Sequence, residues 1–317
     1  MKKFLALSFM ALALGVHAEA PYERETNPNK IPHRLNPGHA TSEAATAGST
    51  GQQTPVITSY GGPVVGNQPN IHLIWYGNWA QTNGSDNAAG QNIVRDFIFG
   101  DSGSSYLALN VGYTGSGGTS VTGYLGTVYE PSAPVGYSHG KRLSDSTIAT
   151  IVSDYITKEG RNDPNAIYLV LTSSDVAETS GFCTKYCGWH TSGAVSSAFP
   201  KIRYGFIGNA NRCLSACAAQ TTSPNSNAGV DGMVSVVAHE VEETLTDPDA
   251  NGWHDSSGAE NADKCAWTFG SAQFQVANGS FANVTLPARA GGTRNYLIQR
   301  NLKTDSKCYI SSNPLQQ

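Results

Sequence analysis

The stretch from Val230 to Pro248 (Val-Asp-Gly-Met-Val-Ser-Val-Val-Ala-His-Glu-Val-Glu-Glu-Thr-Leu-Thr-Asp-Pro) leaves little freedom of local structure. Val234, Val237, Val241 and Leu245 recur at spacings of three and four, the period of one helix face. Asp231 is the expected N-cap. Thr246-Asp247-Pro248 is the expected stop, because the residue before a proline avoids the α region. Met233, Val236 and Ala238 make the other side of the first two turns apolar too, which predicts a helix buried nearly all round. Into this apolar helix the chain places His239, Glu240 and Glu243.

Residues four apart sit one above the other on a helix, so His239 and Glu243 share a face and can grip one ion, with Glu240 at the edge of that face. This is the H-E-x-x-H zinc spacing with a carboxylate in place of the second imidazole. The charge pattern points the same way. No Lys or Arg occurs between Arg212 and Lys264, whereas Asp231, Glu240, Glu242, Glu243, Asp247, Asp249, Asp255, Glu260 and Asp263 all do. Several of these acids fall at the helix C-terminus, where the macrodipole is already negative, and Glu243 and Asp247 form a like-charge pair four apart. A bound cation is the expected counter-charge. The alternative is an acidic, solvated helix end met by basic side chains from the tail (Arg289, Arg294, Arg300, Lys303 and Lys307).

Residues 1–18 read as a secretory signal: Lys2-Lys3, an apolar run from Phe4 to Val16 too short to span a bilayer, and Val16-His17-Ala18 for cleavage. Residues 19–55, rich in Pro, Asn, Thr, Ser, Ala and Gly, read as a disordered leader or propeptide, in which His33 or His39 is a candidate ligand of a zymogen metal site. Residues 56–317 are then one domain, exported and without a membrane span. Charged residues make up only 14% of the chain and the net charge is −4, which gives no basic patch for nucleic acid. Six cysteines in an exported chain should pair. Cys265 with Cys308 is expected, with two bridges among Cys183, Cys187, Cys213 and Cys217; a four-thiolate zinc site is the rival. His190, just after Cys187, reads as loop.

Strands are expected at Asn70–Tyr76, Gly123–Tyr129, Ala166–Thr172 and Ile202–Ile207, and helices at Ala88–Phe99 and after a Ser144 or Asp145 cap. Short tail strands are expected near Gln273–Val276, Asn283–Leu286 and Arg294–Gln299. The pattern is a mixed α/β (α+β) domain with a strand-rich C-terminal part. His72 is expected as a core histidine and His139 lies in a turn.

Several motifs together carry a resemblance. Phe182-Cys-x3-Cys187, Gly229-Val-Asp-Gly-Met233 running into Ala238-His-Glu-x2-Glu243, Asn251-Gly-Trp253, Glu260-x2-Asp263-x-Cys265, Tyr137-Ser-His-Gly-Lys141 and Ile74-Trp-Tyr-Gly-Asn78 resemble the EXORDIUM/phosphate-induced protein family over roughly Pro55 to Cys308. The resemblance implies an apoplastic, cell-wall-associated protein. The acidic Thr246-Asp-Pro-Asp249, where plant members carry Ser-Asn-Pro, looks more microbial.

The first chemical reading is a secreted zinc metallopeptidase on a single zincin-like domain with a buried HExxE helix. His239 and Glu243 are ligands, and Glu240 is the general base on a metal-bound water that attacks a protein or peptide substrate. The third ligand is expected first at Glu260, then Asp263, then Asp249. The second reading is a non-enzymatic wall or surface protein with a structural site for calcium in place of zinc. Asp247-x-Asp249-x-Asn251-Gly252 matches half of a calcium loop, but Gly258 stands where the closing glutamate belongs. A third is a metal-stabilised scaffold that recognises glycan through Trp75, Trp79, Trp189, Trp253 or Trp267. No G-x-S-x-G elbow supports serine hydrolase chemistry. A monomer is expected.

Overall fold

The computed structural model describes residues 33–34 and 56–313. The expected signal and, apart from residues 33–34, the expected leader with its His39 lie outside the described residues.

Two short strands, β1 (His33–Arg34) and β2 (Thr58–Ser59), precede β3 (Ile71–Tyr76), which is buried at every position. Helix α1 (Ala88–Asp101) follows, its N-cap Asn87 accepting from the Gly90 amide at 2.9 Å. The expected strand from Gly123 shrinks to β4 (Val128–Tyr129), since Gly123 has a positive φ of 73° and turns the chain out of the sheet. After β5 (Arg142–Leu143), α2 (Asp145–Glu159) starts at a Ser144 cap and ends at left-handed Gly160. Then come β6 (Ile167–Thr172), β7 (Ala177–Glu178), β8 (Tyr186–Gly193), β9 (Ile202–Gly208), the short α3 (Leu214–Cys217) and α4 (Ala228–Thr246).

The main sheet has the order β1-β8-β9-β6-β3-β4. Strands β4, β3, β6 and β9 are parallel, while at one side β8 pairs antiparallel with β9 and β1 antiparallel with β8. The apolar run of β6, and that of β3 apart from His72, are what burial on both faces requires. Strand alternation sorts those faces. His72, Tyr168 and Tyr204 align across β3, β6 and β9, and His72 Nδ1 lies 2.8 Å from the Tyr155 hydroxyl, so α2 covers their face. Burial lowers the His72 pKa to about 4, and its ring stacks on Tyr168, as a core histidine does. One residue on, Leu73, Leu169, Gly205 and His190 align on the opposite face, against α4.

Every residue of α4 from Gly229 to Thr246 is buried. The helix starts one turn earlier than its sequence suggests: Asn227, not Asp231, is the cap and accepts from the Val230 amide at 3.2 Å. Asn caps as well as Asp. Asp231 instead accepts from the Asn225 amide, and burial raises its pKa to about 6 against the hydrogen bonds of Ser223 and Asn225. Gly232 permits the close approach of α3, since a Cβ there would stand 2.7 Å from the Cys217 carbonyl oxygen.

Beyond α4 the chain is rich in short strands. β10 (Trp253–His254) pairs with β2, and three hairpins follow: β11 (Phe274–Gln275) with β12 (Phe281–Ala282), β13 (Val284–Pro287) with β14 (Thr293–Tyr296), and β15 (Asn301–Leu302) with β16 (Cys308–Tyr309). The strand expected from Arg294 to Gln299 stops at Tyr296 because the next amides bond elsewhere: Ile298 donates to Asn283 Oδ1 and Gln299 to Ser235 Oγ of α4.

The disulfides are Cys183–Cys213, Cys187–Cys217 and Cys265–Cys308, with no free cysteine among the described residues. The expected Cys265–Cys308 pair and the two bridges among the middle four thus form, as an oxidising compartment favours. No helix among the described residues is long and apolar enough to cross a membrane.

Candidate metal centre

Helix α4 contributes three of the site's residues. His239 Nε2 and Glu243 Oε1 lie 3.0 Å apart, the geometry the i, i+4 spacing dictates. Glu240 turns toward β8, where its Oε2 lies 3.0 Å from His190 Nδ1. His190 Nδ1 is also 3.6 Å from Glu243 Oε2, and its Nε2 is 3.6 Å from Glu260 Oε2. Asp263 closes the other side: its Oδ1 is 3.6 Å from His239 Nε2 and its amide donates to Glu243 Oε1 at 3.0 Å. Two overlapping triplets result, His190/Glu240/Glu243 and His239/Glu243/Asp263, each with ligand atoms within 4.8 Å of one another.

The expectation that His190 belongs to a loop is corrected. The residue sits on β8, because the two bridges to residues 213 and 217 tie the start of that strand to the segment just before α4. Gly188, two residues earlier on the same face, lets the strand close onto the helix: a Cβ there would meet Val236 Cγ1 at 2.5 Å and Glu240 Oε1 at 3.3 Å. The sequence signal was the repeated C-x3-C, whose pairing fixes the neighbourhood of position 190.

Burial shapes the electrostatics. Glu240 and Glu243 have no exposed side-chain surface, and the most exposed members, His190 and Asp263, reach only 7%. Glu243 Oε2 is buried without a hydrogen-bond partner. Burial, then the charges of Asp263, Glu240 and Asp247, push the Glu243 carboxyl well above its usual pKa. So many acids beside two imidazoles, with an unmet carboxylate oxygen between them, fit a divalent cation. Each triplet offers one imidazole and two carboxylates, a donor set open to zinc but richer in oxygen than most zinc sites.

The other candidates separate. Asp247 Oδ1 accepts from the Gly252 amide at 2.6 Å, while its Oδ2 is buried without a hydrogen-bond partner. Asp249 stands apart, 2.8 Å from Lys201 Nζ and 3.4 Å from Arg203 Nε, and those cations hold its pKa down against burial. Asp255 likewise pairs with Lys264. His139 pairs with Asp154, away from the cluster. The tryptophans form no common platform. Trp189 packs between Tyr204 and Phe206, Trp253 donates to the Thr114 carbonyl, and Trp75 and Trp79 meet edge to face beside a cavity of about 490 Å³. That cavity and a larger one of about 910 Å³ share Arg95 and Glu130 and include no residue of the acid–imidazole cluster.

Residues 57–307 match the family model described as the phosphate-induced protein 1 conserved region. Protein EXORDIUM-like 3 of Arabidopsis thaliana is 31% identical over 274 residues, covering 75% of this chain and 77% of the relative. Protein EXORDIUM-like 5 of the same plant is 29% identical over 264 residues, 74% and 69% of the two chains. Protein PHOSPHATE-INDUCED 1 of Nicotiana tabacum is 30% identical over 213 residues, 58% and 63% of the two. No solved structure matches. The matched region runs from β2 through β15 and takes in every residue of the acid–imidazole cluster, and the chain belongs to the phosphate-induced protein 1 family.

Proposed function

We propose that this protein is a secreted zinc-dependent hydrolase, acting on protein or peptide substrates, with a zincin-like placement of its HExxE helix. The observation that carries the reading is Glu243, whose two oxygens face His239 and His190 at 3.0 Å and 3.6 Å and whose side chain is fully buried. His239, Glu243 and Asp263 would hold the ion, with His190 set against the second oxygen of Glu243. Glu260 then stands behind His190 at 3.6 Å, where a carboxylate fixes the imidazole's tautomer and orientation, and so moves from ligand to support. The Asp263 amide holds Glu243 in place. Zinc in this set would supply Lewis acidity toward a carbonyl and make water acidic near neutral pH. Glu240 is the proton acceptor: it lies on the cluster's β8 side and is oriented by His190 at 3.0 Å. The protein acts outside the cell as a monomer, on soluble proteins or on wall components.

One observation favours a second reading, a structural cation in a non-enzymatic wall protein: the cluster is buried, and neither cavity beside Arg95 and Glu130 includes a residue of it. Calcium would draw on Asp247, whose Oδ2 is unmet, but not on Asp249, already paired with Lys201. Metal analysis and casein hydrolysis separate the two. In the first reading His239→Ala loses zinc, and Glu240→Gln keeps zinc while hydrolysis falls by about 10²–10⁴. Hydrolysis unchanged in Glu240→Gln would remove Glu240 as the base. Calcium in the purified protein, lost in Asp247→Asn, would support the second reading.

A further inference from the structure

We propose that the outer edge of β8 is a binding site for an extended peptide, and that the leader around His33–Arg34 is its resident occupant in the full-length chain. The proposal deepens the peptidase reading: it rests on that reading for the claim that a substrate takes the leader's place, while the site itself stands on the sheet geometry.

The sheet order ends β9-β8-β1, so β8 is an edge strand wherever β1 is absent. An edge offers a row of backbone donors and acceptors to any extended chain, largely regardless of that chain's sequence. β1 uses this edge minimally. It pairs antiparallel at two positions, His33 with Gly188 and Arg34 with Tyr186, and the register slips between them. A two-residue, irregular pairing is the weakest form of strand addition, easily exchanged for a longer one. It is also placed where exchange would matter. Gly188, opposite His33, is the point at which the β8 backbone closes onto α4, within reach of the Glu240 carboxylate. His190 follows two residues on, on the same face. Residues directly opposite in an antiparallel pair share a face, so position 33 falls on the face that α4 covers. A chain laid along this edge therefore runs past Glu240 and His190, and β1 already lies against α4.

The covalent link does not require the strand to stay. Twenty-two residues, 35–56, separate Arg34 from Ile57. Their Ser, Thr, Ala and Gly content suits a tether, and at roughly 3.3 Å per residue it can span about 70 Å. Cutting within it severs the leader from the domain without touching the main sheet.

The test uses the full chain, folded first. A recognition sequence for a specific endoprotease is inserted between residues 44 and 48, the protein is purified and then cut, and the leader fragment is followed by size exclusion. A fluorescein-labelled peptide of residues 26–40 is then titrated onto the stripped protein and read by anisotropy. Saturable binding is expected, and a peptide carrying both His33→Pro and Arg34→Pro should bind at least about tenfold more weakly, since proline cannot donate to the ladder. Stripped protein should hydrolyse casein faster than uncut protein, and the added peptide should reverse the gain. No binding, or equal binding of the proline peptide, overturns the proposal. Binding without hydrolysis in any form supports the edge site and removes the peptidase reading instead.

Discussion

Glu242 and Glu243 are consecutive on α4 and equally withdrawn from water, yet they stand in opposite surroundings. Glu242 Oε2 accepts from Asn110 Nδ2 and, at 2.6 Å, from Asn301 Nδ2. Asn110 Oδ1 accepts in turn from Asn261 and Asn301, each at 3.0 Å. Neutral carboxamides thus meet one oxygen of this acid, the other being buried without a hydrogen-bond partner, and its pKa is raised well above normal by burial and by Asp101 against these bonds. Protonated, Glu242 needs no counter-ion, and it ties α4 to two distant segments, at Asn110 and Asn301. Glu243 instead faces two imidazoles and stands among Asp263, Glu240 and Asp247. Burial alone makes an acid neutral. Acids gathered around imidazoles are what the proposed cation would answer, because no single proton satisfies them all.

The largest effect that sharpens this contrast is metal removal. With zinc at about a thousand times its dissociation constant, binding adds about 4 kcal/mol. Chelation should therefore lower the melting temperature by about 10 °C in calorimetry. Glu242→Gln should show the same drop. A melting temperature indifferent to chelation would put Glu243 in the same class as Glu242.

The amide side is probed next by urea unfolding. Glu242→Ala leaves buried carboxamides unmet and should cost about 2–4 kcal/mol, whereas Glu242→Gln should stay within about 1 kcal/mol of the parent. If Gln costs as much as Ala, the folded protein holds Glu242 ionised and the contrast fails.

Asp101, at the C-terminus of α1 and coupled to Glu242, extends the comparison to pH. Burial, against the Ser104 hydrogen bond, raises its pKa from 3.8 to about 7. A folded pKa above the unfolded one gives stability that is full below 3.8 and is lost as pH rises to about 7. Asp101→Asn should flatten that slope and, above pH 7, stabilise the protein by on the order of 2 kcal/mol. An identical slope in the variant would show Asp101 ionised throughout.

Asp255 has the opposite sign and the smallest effect. Burial pushes it up, but Lys264 and Ser257 hold it down to about 2, below its ordinary 3.8. Its stabilisation is present above 3.8 and is lost as pH falls through about 2. Asp255→Asn should remove about 1 kcal/mol at neutral pH and soften the acid limb of the stability curve. Loss of metal in this variant would instead tie Asp255 to the cluster.

Much of this was legible from local pattern. The periodic valines placed α4 to within one turn, and continuous β-branched and aromatic runs placed β3 and β6 almost to the residue. What could not be read was whatever depends on a distant partner. β8 has glycines at 188 and 193 and cysteine spacing that imitates a loop; only pairing with β9 and the bridges to the chain before α4 make it a strand. The tail strands came out shorter because α4 and Asn283 take amides that alternation would assign to a ladder.

The sequence by itself determined the buried helix, the i, i+4 placement of His239 and Glu243 and the family, because each follows from spacing and motif order along the chain. Tertiary structure alone decided the company these residues keep. His190 arrives from fifty residues away, Asp249 goes to Lys201 and Arg203, and Glu242 turns to its amides. The physical reason is that a buried charge takes its character from whichever polar groups packing brings within a few ångströms, and packing is a property of the whole chain.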